Sequence, residues 1–312
     1  MKDTLRGAFA QHPRRLKPYG FFVRVMWGLI TVGATLPGWA SIPGEPPHEY
    51  SSVNADARLT RESSMFLLPA VPSDDGFLRA AASAQLPVVR RLVSEGANVN
   101  AQSPNGWTPL ILAAQRNRPD VLNLLINHPE TKVNESSSAG MTALKAAAQS
   151  GHLAATQVLL RHPAIDVNTQ DAQGRTPLAW AALNGHELVV RILAHHKEIQ
   201  LNLPDSEGWS PLMLAAREGH SEIVETLLTR PGLALNLRDP KGETALIAAT
   251  AHNRIGVVKL LVAQPGLDIR VADENGLSAK EWAQHKGYVH LVEILDQAEK
   301  TSGSANCQSL LL

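Results

Sequence analysis

The pattern Gly-X-Thr/Ser-Pro/Ala begins at Gly106, Gly140, Gly174, Gly208, Gly242 and Gly276, each copy 34 residues after the last. A chain that repeats at so short and constant a period folds as a row of supersecondary units, each packed only on its neighbours. Such a row offers a long surface and no default pocket, so the expected activity is binding.

The residues between the glycines say what each unit is. After Gly174-Arg175 come Thr176-Pro177-Leu178-Ala179-Trp180-Ala181-Ala182, then Gly185-His186, Val189-Val190, Ile192-Leu193 and Leu201-Asn202. Thr176 suits an N-cap, where its hydroxyl accepts from an orphan amide of the first turn. Pro177 then falls at the first helical position, where its missing N–H costs nothing. Leu178, Ala181 and Ala182 lie on one helical face that is apolar and small enough for close packing. Gly185 supplies a residue tolerant of positive φ where that helix ends. The run from Leu188 to Leu193 predicts a second helix, and the stretch to the next glycine is short, extended and closed by a turn. Each unit therefore reads as helix, turn, helix and a projecting finger.

These residues resemble the ankyrin repeat, whose signature runs Gly-X-Thr-Pro-Leu-His-X-Ala-Ala, Gly-His, Val-Val, Leu-Leu and Val-Asn. Val-Asn stands at Val99-Asn100, Val133-Asn134 and Val167-Asn168, with Leu201-Asn202 and Leu235-Asn236 in the same register, and Gly-His recurs at Gly151, Gly185 and Gly219. The histidine of Thr-Pro-Leu-His is replaced by Ile111, Lys145, Ala179, Met213, Ile247 and Glu281, which removes a side-chain hydrogen bond between units. The period also exceeds the usual value of about 33, and the extra residue falls in the loop near Pro129, Pro163 and Pro231, where insertion is tolerated. The resemblance implies an all-α repeat solenoid of about seven stacked units over 74–300. The expected units are 74–102, 103–136, 137–170, 171–204, 205–238, 239–272 and 273–300. The first, which lacks Gly-X-Thr-Pro, reads as an N-terminal cap. In the last, Lys280 replaces a leucine, as suits a solvent-facing end.

The flanks differ from the array. Residues 1–40 carry six Lys/Arg against Asp3, and Arg14, Arg15 and Lys17 precede the apolar run from Phe21 to Ala40. That order resembles a signal peptide or membrane anchor, which places the protein in the periplasm, outside the cell or at a membrane. The alternative is a cytoplasmic protein with a disordered apolar leader or a start assigned too far upstream. Residues 41–73, rich in proline and serine, read as a linker, with a short helix near Ala57 to Leu67, and 301–312 as a flexible tail.

Charge and motif content narrow the function. The whole chain balances 29 basic against 29 acidic residues, and 74–300 holds 21 against 24. A mildly acidic array without basic stripes argues against nucleic acid as a partner. Cys307 is the only cysteine, so no internal disulfide can form. No nucleophile elbow, P-loop or dinucleotide fingerprint occurs, so neither enzymatic activity nor a cofactor or small-molecule substrate is expected. His152, His186 and His220 stand one period apart, yet equivalent residues of adjacent units are separated by roughly 8–10 Å. Two imidazoles that each bind zinc at about 2 Å must lie far closer. These histidines are expected to support the turns between units, with no metal site.

Two pairs of tryptophans stand out. Trp180 and Trp282 occupy a position held elsewhere by Leu112, Ala146, Leu214 and Ala248, and are expected to pack between helices. Trp107 and Trp209 follow their glycines on the finger. Exposed aromatics there suit an interface hot spot, the alternative being that each leans onto the neighbouring finger.

The resemblance implies binding on the concave face made by the fingers and the ends of the first helices. By position that face comprises Asn105, Trp107, Gln115, Arg116, Met141, Gln149, Arg175 and Asn184. Further along it holds Glu207, Trp209, Arg217, Glu218, Lys241, Glu243 and His252. Their mixture of charge, amide and aromatic character suits a protein partner. The expected function is a monomeric, non-enzymatic interaction scaffold. The alternative is a bacterial effector or inhibitor whose array blocks an enzyme's active site.

Overall fold

A computed structural model describes residues 73–308. The leader, the linker up to residue 72 and the last four residues of the tail lie outside these residues. Among the described residues are fourteen helices and one isolated bridge, Ala272 with Ser278. The helices pair as α1 (Asp74–Ala82) with α2 (Leu86–Ser94), α3 (Pro109–Gln115) with α4 (Pro119–Ile126), and α5 (Ala143–Gln149) with α6 (Leu153–Leu159). Then come α7 (Pro177–Leu183) with α8 (Glu187–Ala194), α9 (Pro211–Glu218) with α10 (Ser221–Leu228), α11 (Ala245–Ala251) with α12 (Ile255–Val262), and α13 (Ala279–Lys286) with α14 (Val289–Gln308). First helices pack on first helices and second on second along the row. The result is the all-α repeat solenoid expected from the period. No helix among the described residues is long and apolar enough to cross a membrane.

Each first helix after the N-terminal unit starts as its residues dictate. The hydroxyls of Thr108, Thr142, Thr176, Ser210, Thr244 and Ser278 accept from the amide three residues on, and proline opens α3, α7 and α9. Leu178, Ala181 and Ala182 are fully buried, as the apolar face requires.

Three ladders join the units. The first is built by asparagine. Asn100, Asn134, Asn168, Asn202 and Asn236 each donate Nδ2–H to a backbone carbonyl of the next unit at 2.7–2.9 Å. Each Oδ1 accepts a backbone amide two residues beyond that carbonyl, at 2.9–3.0 Å. The second ladder uses the residue after the first helix's turn. Arg118, His152, His186, His220 and Arg254 donate to carbonyls of the preceding unit's first helix end, at Ala82, Gln115, Gln149, Leu183 and Arg217. The three histidines therefore support the junctions between units. Glycine is required beneath them: a Cβ on Gly151, at φ +71°, would come within 2.5 Å of the His186 ring. The third ladder runs along the fingers. The amides of Ser138, Ala172, Ser206 and Glu274 donate to the carbonyls of Asn105, Ala139, Gln173 and Lys241.

The ends differ from expectation in one respect. Lys280 does not face solvent freely; it is half-buried and paired with Asp296 and Glu299 of α14. The last unit thus ties its first helix to its own second helix through these pairs.

Lys145, standing where the family has histidine, is fully buried, and its Nζ has no hydrogen-bond partner. Burial pushes its ammonium down from the ordinary lysine range, against the pull of Asp171 and Asp166. Replacing a poorly compensated buried charge with an apolar side chain of similar length is commonly stabilising by about 1–4 kcal/mol. Lys145→Met should therefore raise the urea midpoint of the folded chain, and a lower midpoint would show that the amine has a compensating role. Because folding disfavours the charged amine, the gain from Lys145→Met should shrink as pH rises from the folded-state value towards 10.5.

Candidate functional site

The fingers are built by a polar side chain that caps its own turn. Asp171, Asp205, Asp239 and Asp273 each accept with Oδ1 from the amides two and four residues on, at 2.7–3.0 Å. In the two earlier fingers Ser103 and Ser137 accept the second of these amides, from Trp107 and Met141. The residue after each finger glycine, at positions 107, 141, 175, 209, 243 and 277, is thereby held at the start of its first helix.

On this frame a connected set of side chains forms across the fourth to sixth units. The Trp180 indole N–H donates to Asp171 Oδ2 at 2.6 Å. The Arg175 guanidinium lies over the Trp180 ring, 4.7 Å from its centroid, and Arg175 Nε reaches Asp205 Oδ2 at 3.4 Å. One unit on, Arg217 from the end of α9 lies over the Trp209 ring at 4.9 Å and pairs with Glu218 at 3.0 Å. Glu243 and His252 of the next unit feel Arg217 electrostatically. Burial, and next the Asp239 carboxylate, push the Glu243 carboxyl up, while Lys241 and Arg217 oppose this. Desolvation of its ring by the surrounding chain also pushes the His252 imidazole down, against its bond to the Ala248 carbonyl, although the residue as a whole is exposed. Paired cations stacked on aromatic faces are held in place before any partner arrives.

The positions inferred from sequence divide by exposure. Asn105, Arg116, Glu207, Lys241 and His252 are exposed; Trp107, Gln115, Met141, Gln149, Arg175, Asn184, Arg217, Glu218 and Glu243 are half-buried. In the earlier units Asn184 donates Nδ2–H to the Gln149 carbonyl at 2.8 Å. Trp209 departs from the expected exposure: it is 8% exposed and belongs to the core, roofed by Arg217. Trp107 is half-buried and packs against that core, so neither indole projects as a free anchor. Trp282 is half-buried and packs against the core, whereas Trp180 is half-buried beneath the Arg175 guanidinium. Each is pinned by a bond from its indole to the finger aspartate, Trp282 to Asp273 at 2.9 Å. Burial opposes ionisation of Asp273, yet the donors from Leu277, Trp282 and Asn275 outweigh it and hold that carboxyl below the usual range. Asp171 and Asp205 were not among the inferred site residues. The signal that marks them was present, since Asp171, Asp205, Asp239 and Asp273 recur at the same period, three residues before the finger glycine.

A family model described as ankyrin repeats (three copies) matches residues 77–171 and 164–239, together more than half of the chain. Human 2-5A-dependent ribonuclease is 34% identical over 83 residues, 26% of this chain and 10% of the ribonuclease. Mouse RelA-associated inhibitor is 36% identical over 63 residues, 19% of this chain and 8% of that protein. The chain thus spans about a tenth of the length of these relatives. Among solved structures, the ankyrin repeat domain of Bcl-3 superposes with a TM-score of 0.63 at 24% identity, covering 70% of this chain and 97% of that domain. The ankyrin repeat protein EF0377 superposes at 0.57 and 26% identity, covering 60% of this chain and 96% of its own.

Two outcomes follow from the burial. Trp209→Ala should destabilise the fold by about 3–5 kcal/mol, the usual cost of removing a buried aromatic, read as a lower melting temperature. A melt unchanged from the parent chain would return the indole to the surface. The second concerns acid. Burial pushes the His186 imidazole down, and the neighbouring His152 and His220 add to this, against its bond to Gln149. A group that prefers to be neutral when folded contributes stability that is present above its unfolded value of 6.5 and lost as pH falls through its folded value. The urea midpoint should accordingly drop as pH is lowered below 6.5, and less so in His186→Asn. Identical pH profiles for the two would remove His186 as the cause.

Proposed function

The chain belongs to the ankyrin-repeat family, and from that premise we propose that it is a non-enzymatic scaffold that binds a protein partner along the fingers and first-helix ends. The observation carrying this reading is the connected set from Trp180 and Arg175 through Asp205, Trp209, Arg217, Glu218 and Glu243. Its charges are ordered by stacking and pairing, and Glu207, Lys241 and His252 stand exposed beside it. Fixed polar groups rimmed by exposed ones favour recognition of a folded protein surface or peptide, because little side-chain freedom remains to be lost on binding. The partner meets guanidinium faces and finger-tip charges, and the tryptophans act from behind by fixing those cations.

A second reading has support in one likeness. A relative matched over 63 residues is by its name an inhibitor associated with RelA. In that reading the array acts by covering a functional surface of its partner, and the partner's activity falls as array is added.

The exposed finger tips separate binding on this face from binding elsewhere. The double variant Glu207→Lys with Lys241→Glu leaves the buried set intact and reverses two charges on adjacent fingers. It should weaken capture of the wild-type chain's partner from a lysate of the source organism by about tenfold, equivalent to roughly 1.4 kcal/mol, without changing the melt. Full capture by this variant, together with loss on Arg161→Glu and Arg191→Glu, would move the interface to the opposite, second-helix side.

A further inference from the structure

The finger ladder is interrupted once. Between the second and fifth fingers it is continuous, with Ser138 N–H on Asn105, Ala172 on Ala139 and Ser206 on Gln173 at 2.9–3.1 Å. It resumes between the sixth and seventh, where Glu274 donates to Lys241 at 2.7 Å. At the junction of the fifth and sixth fingers the donor position is residue 240, and it is proline. Proline has no backbone N–H, so the Glu207 carbonyl receives no amide from the next finger. The proline ring lies instead against Gly208, its Cδ occupying the space a Cβ there would need.

The other two ladders cross this junction unbroken. Asn236 reaches the Gly266 carbonyl at 2.9 Å and accepts from Asp268 at 2.9 Å, and Arg254 donates to the Arg217 carbonyl at 2.9 Å. The two units are therefore tied at the extended connection and at the helix turns, while the backbone rung between their finger tips is missing. Local opening follows the places where few hydrogen bonds must break.

We propose that Pro240 sets a hinge in the array, about which the fingers of the second to fifth units and those of the sixth and seventh move as two rigid blocks. The pivot lies on the asparagine and histidine/arginine ladders, and the displacement is largest at the finger tips. The connected charges straddle this seam: Trp209, Arg217 and Glu218 belong to one block, Glu243 and His252 to the other. Opening the seam changes the distance from Arg217 to Glu243 and hence the spacing of charges shown to a partner, whose binding across both blocks fixes one opening.

Residues 139, 207 and 275 occupy the same finger position, and all three are exposed. Spin labels on cysteines placed at Ala139 and Glu207, or at Glu207 and Asn275, each report on fingers two units apart, in full-length chains carrying Cys307→Ser. The first pair spans an unbroken ladder and the second spans Pro240. The distance distribution measured by pulsed electron resonance should be broader for the second pair than for the first. Pro240→Ser restores the amide that Ser138 and Ser206 supply elsewhere, and should narrow the second distribution to the width of the first. Equal widths in the parent chain would overturn the proposal, whether or not Pro240→Ser folds. A folded Pro240→Ser chain with an unchanged broad distribution would also overturn it.

Discussion

The asparagine carboxamide is the bond on which this fold depends. The segment between second helix and finger has no helix or sheet to satisfy its amides and carbonyls. A carboxamide offers a donor and an acceptor at one end of a short side chain, so each asparagine closes one carbonyl and one amide of the next unit. An aspartate there lacks the donor, and a glutamine sets the amide a methylene further out. With that spacing fixed, the first helices come close enough for alanine faces to pack, and the imidazole or guanidinium of one unit reaches the helix end of the previous one. Each of these contacts presupposes the one before it, which is how units too small to fold alone become stable in a row.

The parts of the structure that are local in sequence were legible in it. Helix starts follow from Thr176-Pro177 and its copies, because cap and first turn lie within four residues. The seven helix pairs follow from the period. What depends on the next unit was not legible. Trp107 and Trp209 stand at the same register position, yet Trp209 is buried because Arg217, eight residues further along the chain, folds back over its ring. The burial of Lys145 was legible only in part: its position is apolar in four other units, but how its amine is accommodated is decided by the neighbouring segment that carries Asp166 and Asp171. On the fingers, the period of the aspartates was visible, but their double role was not: one oxygen caps the turn and, in two units, the other holds an indole.

That double role shapes the electrostatics of the face. A carboxylate already taken by two amides and an indole has most of its acceptor sites filled, so Asp171 and Asp273 add negative charge while offering little free acceptor capacity. The arginines are similarly engaged: Arg175 and Arg217 each combine a ring face with a carboxylate. Specificity on such a face rests less on finding partners for loose charges than on the fixed pattern in which they are presented. The exposed residues at the finger tips then add contacts that can change without disturbing the frame beneath.

The C-terminal unit has a consequence for how long such an array can be. Interior junctions share one set of offsets, so a unit duplicated between Asn134 and Asn202 would find every ladder partner already waiting on both sides. The final unit is built differently: Lys280 pairs with Asp296 and Glu299 of α14, and the Ser278–Glu281 capping box reinforces the start of α13, so its polar side chains replace the apolar leucine that the interior units stack on. The interior of the array therefore accepts further copies of its unit more readily than its last unit does, a property of the boundary rather than of the repeat.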